Sequence, residues 1–261
     1  MSASDHPAGE IARDILQGRT FNPYPDTRPR SLAEGYALQD AVVARLQRDG
    51  ARGAVGGWKI AANSAALMQR FSMSEPASGR VFADQRHASP ARLKAAEFAQ
   101  FAYEPEIAAV IGQRLAPPDA PFERAEIIDA VTRFVPALEL LDMRRVDVLT
   151  SHMPDIIGQN ITNAGAVIGG PGIAPDALDV ARQRMIVTID GQDELDVTGA
   201  APQDPCAAVL WLANHLAARG LTLEAGQVVL CGTHAPIRLL PGPARIAVDM
   251  PGMGSVRLDL V

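Results

Sequence analysis

The spacing of apolar residues changes character along this chain, from helical near the N-terminus to strand-like beyond it. Apolar positions recur every three or four residues over 9–17 and again over 32–46, which predicts two helices. Ser31 and Glu34 stand in the Ser-x-x-Glu pattern of a capping box, which marks the start of the second helix. We therefore predict a helical segment over residues 1–55.

Beyond residue 56 the apolar runs are short, as is typical of strands, and helical patterns lie among them. The predicted strands are 58–60, 98–111, 136–142, 185–190 and 228–231, with two more near the C-terminus. The predicted helices are 64–71, capped by Ser64, then 123–134 and 205–219, and 76–79 is predicted to be a turn. This succession predicts an α+β fold with a mostly antiparallel or mixed sheet, in which 56–261 either forms a second domain or continues the first.

Composition and charge narrow the classes of function. The chain has 261 residues and a formal net charge of -6 without a basic stretch, so we expect neither nucleic acid nor a membrane as a partner. Cys206 and Cys231 are too few for a disulfide framework and indicate a reducing compartment. Residues 1–7 lack the basic and apolar regions of a secretory signal, and we therefore expect a cytoplasmic protein.

Two glutamates, Glu104 and Glu106, interrupt the apolar run 98–111 on either side of Pro105. Because side chains alternate across a strand, both carboxylates face the same way, and the run contains no lysine or arginine that would neutralise them. Burial of an unpaired carboxylate is strongly unfavourable. Either a bound metal cation compensates the two charges, or the strand lies at a sheet edge, which Pro105 would tolerate, and the glutamates meet solvent.

A third carboxylate, that of Glu139, lies in another apolar run, 136–142. With the preceding pair it would complete an all-oxygen site of the kind that suits Mg²⁺ or Mn²⁺. The alternative for Glu139 is an ion pair with Arg144 or Arg145, which follow closely in the sequence.

Lys59 and three polar residues further along are the remaining candidates for a site. Lys59 stands between Gly56-Gly57 and an apolar run, where burial would lower the pKa of its amine and suit it to proton transfer; the alternative is a surface lysine with a buried stem. Asn160 and Thr162, which stand among glycines, would either bind a carboxylate or water or form a polar turn. His234 follows a strand and would edge a pocket or lie in a capped turn.

Taken in order, these segments resemble the 2-keto-4-pentenoate hydratase and 4-oxalocrotonate decarboxylase group of the fumarylacetoacetate hydrolase superfamily. The resemblance covers nearly the whole chain and is carried by the stretches 36–39, 57–60, 76–82, 104–106, 136–144, 155–160, 167–170 and 208–214. It implies a fumarylacetoacetate-hydrolase-like mixed β-roll with helices around it, and a homo-oligomer. It also implies Mg²⁺ or Mn²⁺ held by Glu104, Glu106 and Glu139, with Lys59 as the residue that transfers protons. The residues expected to bind substrate are Ser64, Asn160, Thr162 and His234.

The function that this resemblance implies is a divalent-metal-dependent lyase, a hydratase of a 2-hydroxy-2,4-dienoate in aromatic catabolism that acts through a metal-chelated enolate. Where such hydratases carry an acidic residue after a proline, this chain has Ala77, which favours an alternative, the decarboxylation of a 2-oxo-enedioate such as 4-oxalocrotonate. A non-catalytic partner subunit and a C–C bond hydrolase are lesser alternatives. The implied partners are a small dienoate substrate, other copies of the chain and a sequential enzyme of the same pathway.

Overall fold

The helices are distributed along the chain, and the first two form an N-terminal group. The computed structural model describes residues 5–22, 24 and 28–261, with the backbone alone for Asp5 and His6; the prediction about a secretory signal falls partly on 1–4, outside the described residues. The helices are α1 (Asp5–Leu16), α2 (Leu32–Arg48), α3 (Ala65–Arg70), α4 (Arg124–Ala130), α5 (Met153–Gly158) and α6 (Pro205–Ala218). No helix within the described ranges combines the length and apolar character needed to cross a membrane.

The strands form two sheets, both of which mix parallel and antiparallel pairs. They are β1 (Val55–Ala61), β2 (Ala77–Phe82), β3 (Arg86–Ala88), β4 (Ala91–Leu93), β5 (Phe101–Ile111), β6 (Val131–Asp142), β7 (Asn163–Ile168), β8 (Gly170–Pro171), β9 (Arg184–Ile189), β10 (Gln192–Thr198), β11 (Val228–Thr233), β12 (Arg238–Leu239), β13 (Ala244–Met250) and β14 (Gly254–Leu260). The eight-stranded sheet runs β2-β1-β11-β5-β6-β7-β3, with β12 also on β5, and the six-stranded sheet runs β10-β9-β13-β14-β4, with β8 on β14. The predicted α+β fold with a mixed sheet is thereby confirmed.

The larger sheet is rolled, so that one of its faces points inward. Val81 of β2 and Ala166 of β7, which lie near opposite ends of the strand order, pack in one cluster with Ala108 of β5 and Leu230 of β11. The opposite face of β5, represented by Ile107, packs in the main core with α6. The strict alternation along β5 therefore places Glu104 and Glu106 on the inward face, beside Ala108.

The N-terminal helices form a smaller core of their own against the edge of the large sheet. Ile11 of α1 and Val42 and Leu46 of α2 pack with Phe82 of β2. Ser31 caps α2 as predicted, because its hydroxyl accepts the Glu34 N–H at 3.2 Å. The β-rich part begins with β1 at Val55, next to the predicted boundary at residue 55, and the division into two domains stays a prediction.

Two local predictions were wrong, both because pairing within the sheet overrides local propensity. Residues 76–79 were predicted to be a turn, but Ala77 begins β2, which pairs antiparallel with β1. The helix predicted over 123–134 ends at Ala130, and Val131 begins β6, where it pairs with Ile111 of β5. The second change lengthens the strand that carries Glu139.

Candidate active site

Three glutamates meet on the inward face of the roll, on neighbouring strands. Glu104 of β5 lies directly opposite Glu139 of β6 in the antiparallel ladder, and Glu106 lies two residues further along β5. The edge-strand alternative was wrong, because β5 is paired with β6 on one side and with β11 and β12 on the other. Each glutamate offers one carboxylate oxygen, and these oxygens all lie within 4.8 Å of one another.

The charge of this cluster is poorly compensated by the protein itself. Glu106 and Glu139 are buried and Glu104 is half-buried. Burial, and then the charge of Glu139, raise the pKa of Glu104 to about 8. The same two causes, together with the charge of Glu104, raise the pKa of Glu106 well above its ordinary value. Three carboxylates face a single ammonium, so a divalent cation would balance them, and their hard oxygen donors fit Mg²⁺ or Mn²⁺.

Lys59 provides that ammonium and is buried, so the surface-lysine alternative was wrong. Its Nζ donates to the Ile161 carbonyl at 2.8 Å and contacts Oε1 of Glu139. The alternative partner of Glu139, Arg144, instead donates to Gln159. The stem of Lys59 crosses Gly79 of β2, where a Cβ would lie 3.0 Å from Lys59 Cγ, so the absence of a side chain at 79 makes room for it.

A left-handed turn aims the Ile161 carbonyl at Lys59. Asn160, Ile161 and Thr162 have φ values of 56°, 50° and 51°, a conformation that is unfavourable for a β-branched residue. The Asn160 side chain holds the turn against β2, since its Oδ1 accepts the Arg80 N–H at 2.7 Å and its Nδ2 donates to the Arg80 carbonyl at 2.9 Å. Thr162 Oγ1 donates to the Ile161 carbonyl at 2.8 Å. The substrate-binding roles of Asn160 and Thr162 stay predictions.

A bulge in β11 brings a backbone donor to Glu106, and sequence reasoning missed it. The register between β11 and β5 shifts after Leu230, and Gly232 N–H donates to Glu106 Oε2 at 2.8 Å. Gly232 has a φ of 111°, and a Cβ there would lie 2.5 Å from Nδ2 of Asn63, which donates to the carbonyl of Cys231 at 2.9 Å. A glycine within a strand was the available signal for this close approach.

Ser64 and His234 are the two remaining residues that the sequence predicts to bind substrate. Ser64 caps α3, as predicted, by accepting the Leu67 N–H at 3.2 Å. The backbone N–H of His234 donates to the Pro105 carbonyl at 3.1 Å, where β5 and β11 leave their regular pairing. Burial lowers the pKa of His234 to about 4, so its imidazole is neutral at pH 7. Binding of substrate by either side chain stays a prediction.

Ala77 makes the surroundings of Lys59 apolar at the position where an acidic residue was expected in a hydratase. It pairs with Ala61 on the same face of the sheet as Lys59 and is fully buried. Its neighbours include Tyr36, Ile157 and Ile161. Position 77 therefore has no carboxylate that would activate water beside Lys59.

The rolled mixed sheet, with three carboxylates and one lysine on its inward face, places this protein in the class of β-roll proteins that carry a site inside the roll. The chain belongs to the fumarylacetoacetate hydrolase family, because the family model described as fumarylacetoacetate (FAA) hydrolase C-terminal matches residues 57–261. The predicted superfamily and its β-roll are therefore confirmed.

The relatives of this chain include both kinds of enzyme named by the resemblance. The chain is 29% identical to 2-keto-4-pentenoate hydratase of Paraburkholderia xenovorans (strain LB400) over 257 residues, which covers 96% of this chain and 93% of that protein. It is 29% identical to 4-oxalocrotonate decarboxylase of a Pseudomonas species over 228 residues, 87% and 86% of the two proteins. Its fold is similar to that of 4-oxalocrotonate decarboxylase from Pseudomonas putida G7, complexed with magnesium and adipate, with a TM-score of 0.88 at 20% identity over 99% of this chain and 97% of that one.

The raised pKa values predict an unusual pH dependence of stability. A carboxyl whose pKa rises from 4.5 to about 8 on folding, as that of Glu104 does, keeps its proton in the metal-free folded protein where the unfolded chain has lost it. We expect the melting temperature of the metal-free protein to fall between about pH 5 and about pH 8, and the rise in melting temperature on adding Mn²⁺ to grow over that range. Thermal melts with EDTA or with Mn²⁺ measure both. A Mn²⁺ effect of equal size throughout would contradict the expectation, and Glu104→Gln should reduce the pH dependence, leaving the part due to Glu106.

Proposed function

We propose that the chain is a divalent-metal-dependent lyase that hydrates a 2-hydroxy-2,4-dienoate of the 2-keto-4-pentenoate type. The observation that carries the proposal is the set of three inward carboxylates, Glu104, Glu106 and Glu139, next to the buried ammonium of Lys59. The names of the relatives support the reaction class, since hydration and decarboxylation are both lyase reactions.

Glu104, Glu106 and Glu139 would hold Mg²⁺ or Mn²⁺ through one oxygen each, which leaves positions open for oxygens of water and substrate. When bound, such a cation supplies a Lewis acid that stabilises the negative charge developing on the 2-oxygen of a 2-hydroxy or 2-oxo acid. The Gly232 N–H fixes one oxygen of Glu106, so the other is free to face the cluster.

Lys59 is positioned to move the protons of the reaction. The Ile161 carbonyl and Glu139 Oε1 hold its Nζ, and a lysine ammonium has three N–H donors, so one is left for a substrate atom. Ketonisation of the dienol moves a proton from the 2-hydroxyl to C5: the Lys59 ammonium would donate a proton to C5, and the amine that this leaves would accept the proton of the 2-hydroxyl, which restores the ammonium. The resulting 3-ene-2-oxo acid is electrophilic at C4, where water adds while C3 takes a proton.

The second candidate is decarboxylation of a 2-oxo-enedioate of the 4-oxalocrotonate type. Ala77 favours it, because loss of CO₂ needs no side chain that activates water, and the neighbours of Ala77 are apolar. The same carboxylates and Lys59 would serve this reaction: after CO₂ has left, the Lys59 ammonium would donate a proton to the carbon chain, and water would then restore the ammonium.

Two substrates separate these reactions. Purified protein with added Mg²⁺ or Mn²⁺ is given either 2-hydroxypenta-2,4-dienoate or 4-oxalocrotonate, while dienoate absorbance and released CO₂ are followed. We expect metal-dependent loss of the dienoate with formation of the 4-hydroxy-2-oxo acid. CO₂ release from the diacid without hydration of the monoacid would establish the decarboxylase instead. If neither reaction occurs, the non-catalytic subunit and the C–C bond hydrolase are the remaining alternatives, and sub-stoichiometric divalent metal in the purified protein would favour the subunit.

We further propose that the protein is a cytoplasmic homo-oligomer that associates with a sequential enzyme of its pathway. The family resemblance supports the oligomer, and the net charge of -6 without a basic stretch argues against a nucleic acid as partner. Light scattering of the purified protein measures the oligomer directly.

A further inference from the structure

A cleft between α2 and α6, remote in sequence from the glutamate cluster, has the features of a second ligand site. Its volume is about 780 Å³. Apolar wall positions are supplied by Ala33 and Ala37 of α2 and Ala218 of α6, and aromatic ones by Tyr36 and Trp211. A cavity of this size, mostly apolar with a few polar groups at one end, is typical of sites for small molecules.

Hydrogen-bonding groups inside this cleft have no partner. Among the described residues that line the cleft, His215 Nε2 and Arg219 Nη1 are buried without a hydrogen bond. The His215 side chain is only 9% exposed. Buried polar groups nearly always have a hydrogen-bond partner. Unpartnered groups that share one cleft therefore indicate a ligand that supplies the partner.

The charged groups around the cleft offer one guanidinium to an anion and oppose a second negative charge on it. Asp40 pairs with two guanidinium groups at once, those of Arg80 and Arg219, so one carboxylate balances two cations. The Arg219 guanidinium is held over the Tyr36 ring at 4.2 Å, which fixes its plane. Glu75, whose Oε2 accepts from Trp211 Nε1 and lies 4.0 Å from His215 Nδ1, balances the second guanidinium, so an anion with more than one charge would be repelled.

We propose that this cleft binds a small monocarboxylate with an apolar body, its carboxylate on Arg219 Nη1 and His215 Nε2. A planar carboxylate matches the guanidinium edge, and a neutral imidazole can donate from Nε2. Burial, and after it the charge of Arg219, lower the pKa of His215 to about 4, which keeps the imidazole neutral. The apolar body lies along Ala33, Ala37 and Ala218.

Trp211 provides a local readout, because its ring stacks on that of His215 at 4.8 Å. The sequence contains one other tryptophan, Trp58, which is buried, so Trp58→Phe leaves Trp211 as the sole reporter. In this background we expect sodium hexanoate to change the Trp211 fluorescence saturably, and hexan-1-ol, which lacks the carboxylate, to leave it unchanged.

Two substitutions test the location of this site. Arg219→Gln removes the charged donor and should weaken hexanoate binding by roughly tenfold or more. Ala218→Phe, at an exposed position, fills the cleft without touching the polar groups and should abolish binding while the circular dichroism spectrum stays the same. The matched control is Arg238→Gln, which removes an exposed guanidinium paired with Glu194 and should have no effect.

Three results would overturn the proposal. One is the absence of a saturable response in the parent protein. Another is hexanoate binding that survives Arg219→Gln but is lost in Glu106→Gln, which would place the carboxylate at the glutamate cluster. The third is a change of oligomer mass in Ala218→Phe, which would make the cleft an interface between copies of the chain.

Discussion

Replacing Glu106 with glutamine is expected to abolish metal binding and to lower turnover by roughly a thousandfold, since a bound cation supplies several kcal/mol of transition-state stabilisation. The side chain is buried, and its Oε2 is already held by the Gly232 N–H. A glutamine there either presents an N–H to the metal position or turns that N–H toward the Gly232 donor. Both outcomes remove an anionic oxygen that no neighbouring residue can replace.

Isothermal titration with Mn²⁺ and steady-state turnover measure the two effects of Glu106→Gln. Glu97→Gln, at an exposed position outside the cluster, is the matched control and should behave like the parent protein. Circular dichroism verifies that both variants are folded. Stoichiometric Mn²⁺ binding with parental affinity in Glu106→Gln would contradict the assignment of the metal site.

Replacing Lys59 with methionine is expected to lower kcat by about 100- to 10,000-fold without weakening metal binding. Methionine keeps most of the length of the buried stem that crosses Gly79 but has no proton to transfer. Removal of the ammonium also leaves the carboxylate of Glu139 without its cation, so the cluster becomes more negative and should bind a divalent cation at least as tightly. The metal-free variant should be less stable than the parent, because a buried carboxylate is then unpaired.

The decisive question for Lys59 is whether Lys59→Met lowers kcat without weakening the Mn²⁺ affinity. Lys94, the other lysine of the sequence, is exposed, so Lys94→Met is a control for loss of a lysine charge. If Lys59→Met retained parental turnover with saturating Mn²⁺, Lys59 would not transfer protons. If its Mn²⁺ affinity fell in parallel with kcat, Lys59 would be needed to assemble the site.

Local sequence patterns were sufficient for the parts of the site that depend on strand geometry. Alternation along β5 placed Glu104 and Glu106 on one face, and a carboxylate in the apolar run of β6 indicated Glu139. Lys59 was found because a charged residue among glycines and apolar residues is unusual. These features depend on neighbours in the sequence or on the period of a strand.

The remaining parts depend on contacts between segments far apart in the sequence. Gly232 donates to Glu106 across 126 residues, and Lys59 reaches the Ile161 carbonyl across 102. Nothing in the local sequence signals that Asn160, Ile161 and Thr162 adopt a left-handed turn. The hydrogen bonds that stabilise this turn join it to the backbone of Arg80 on β2. The error at 76–79 has the same origin, since pairing with β1 decides the conformation there.

The direct opposition of Glu104 and Glu139 in the ladder has a consequence for how the protein matures. A slip of one residue between β5 and β6 would turn one carboxylate to the opposite face, so only the correctly registered sheet presents all three together. The unfolded chain offers at most the neighbouring pair on β5. A divalent cation bound by the three carboxylates would therefore be a selective ligand of the native state and would stabilise the finished register.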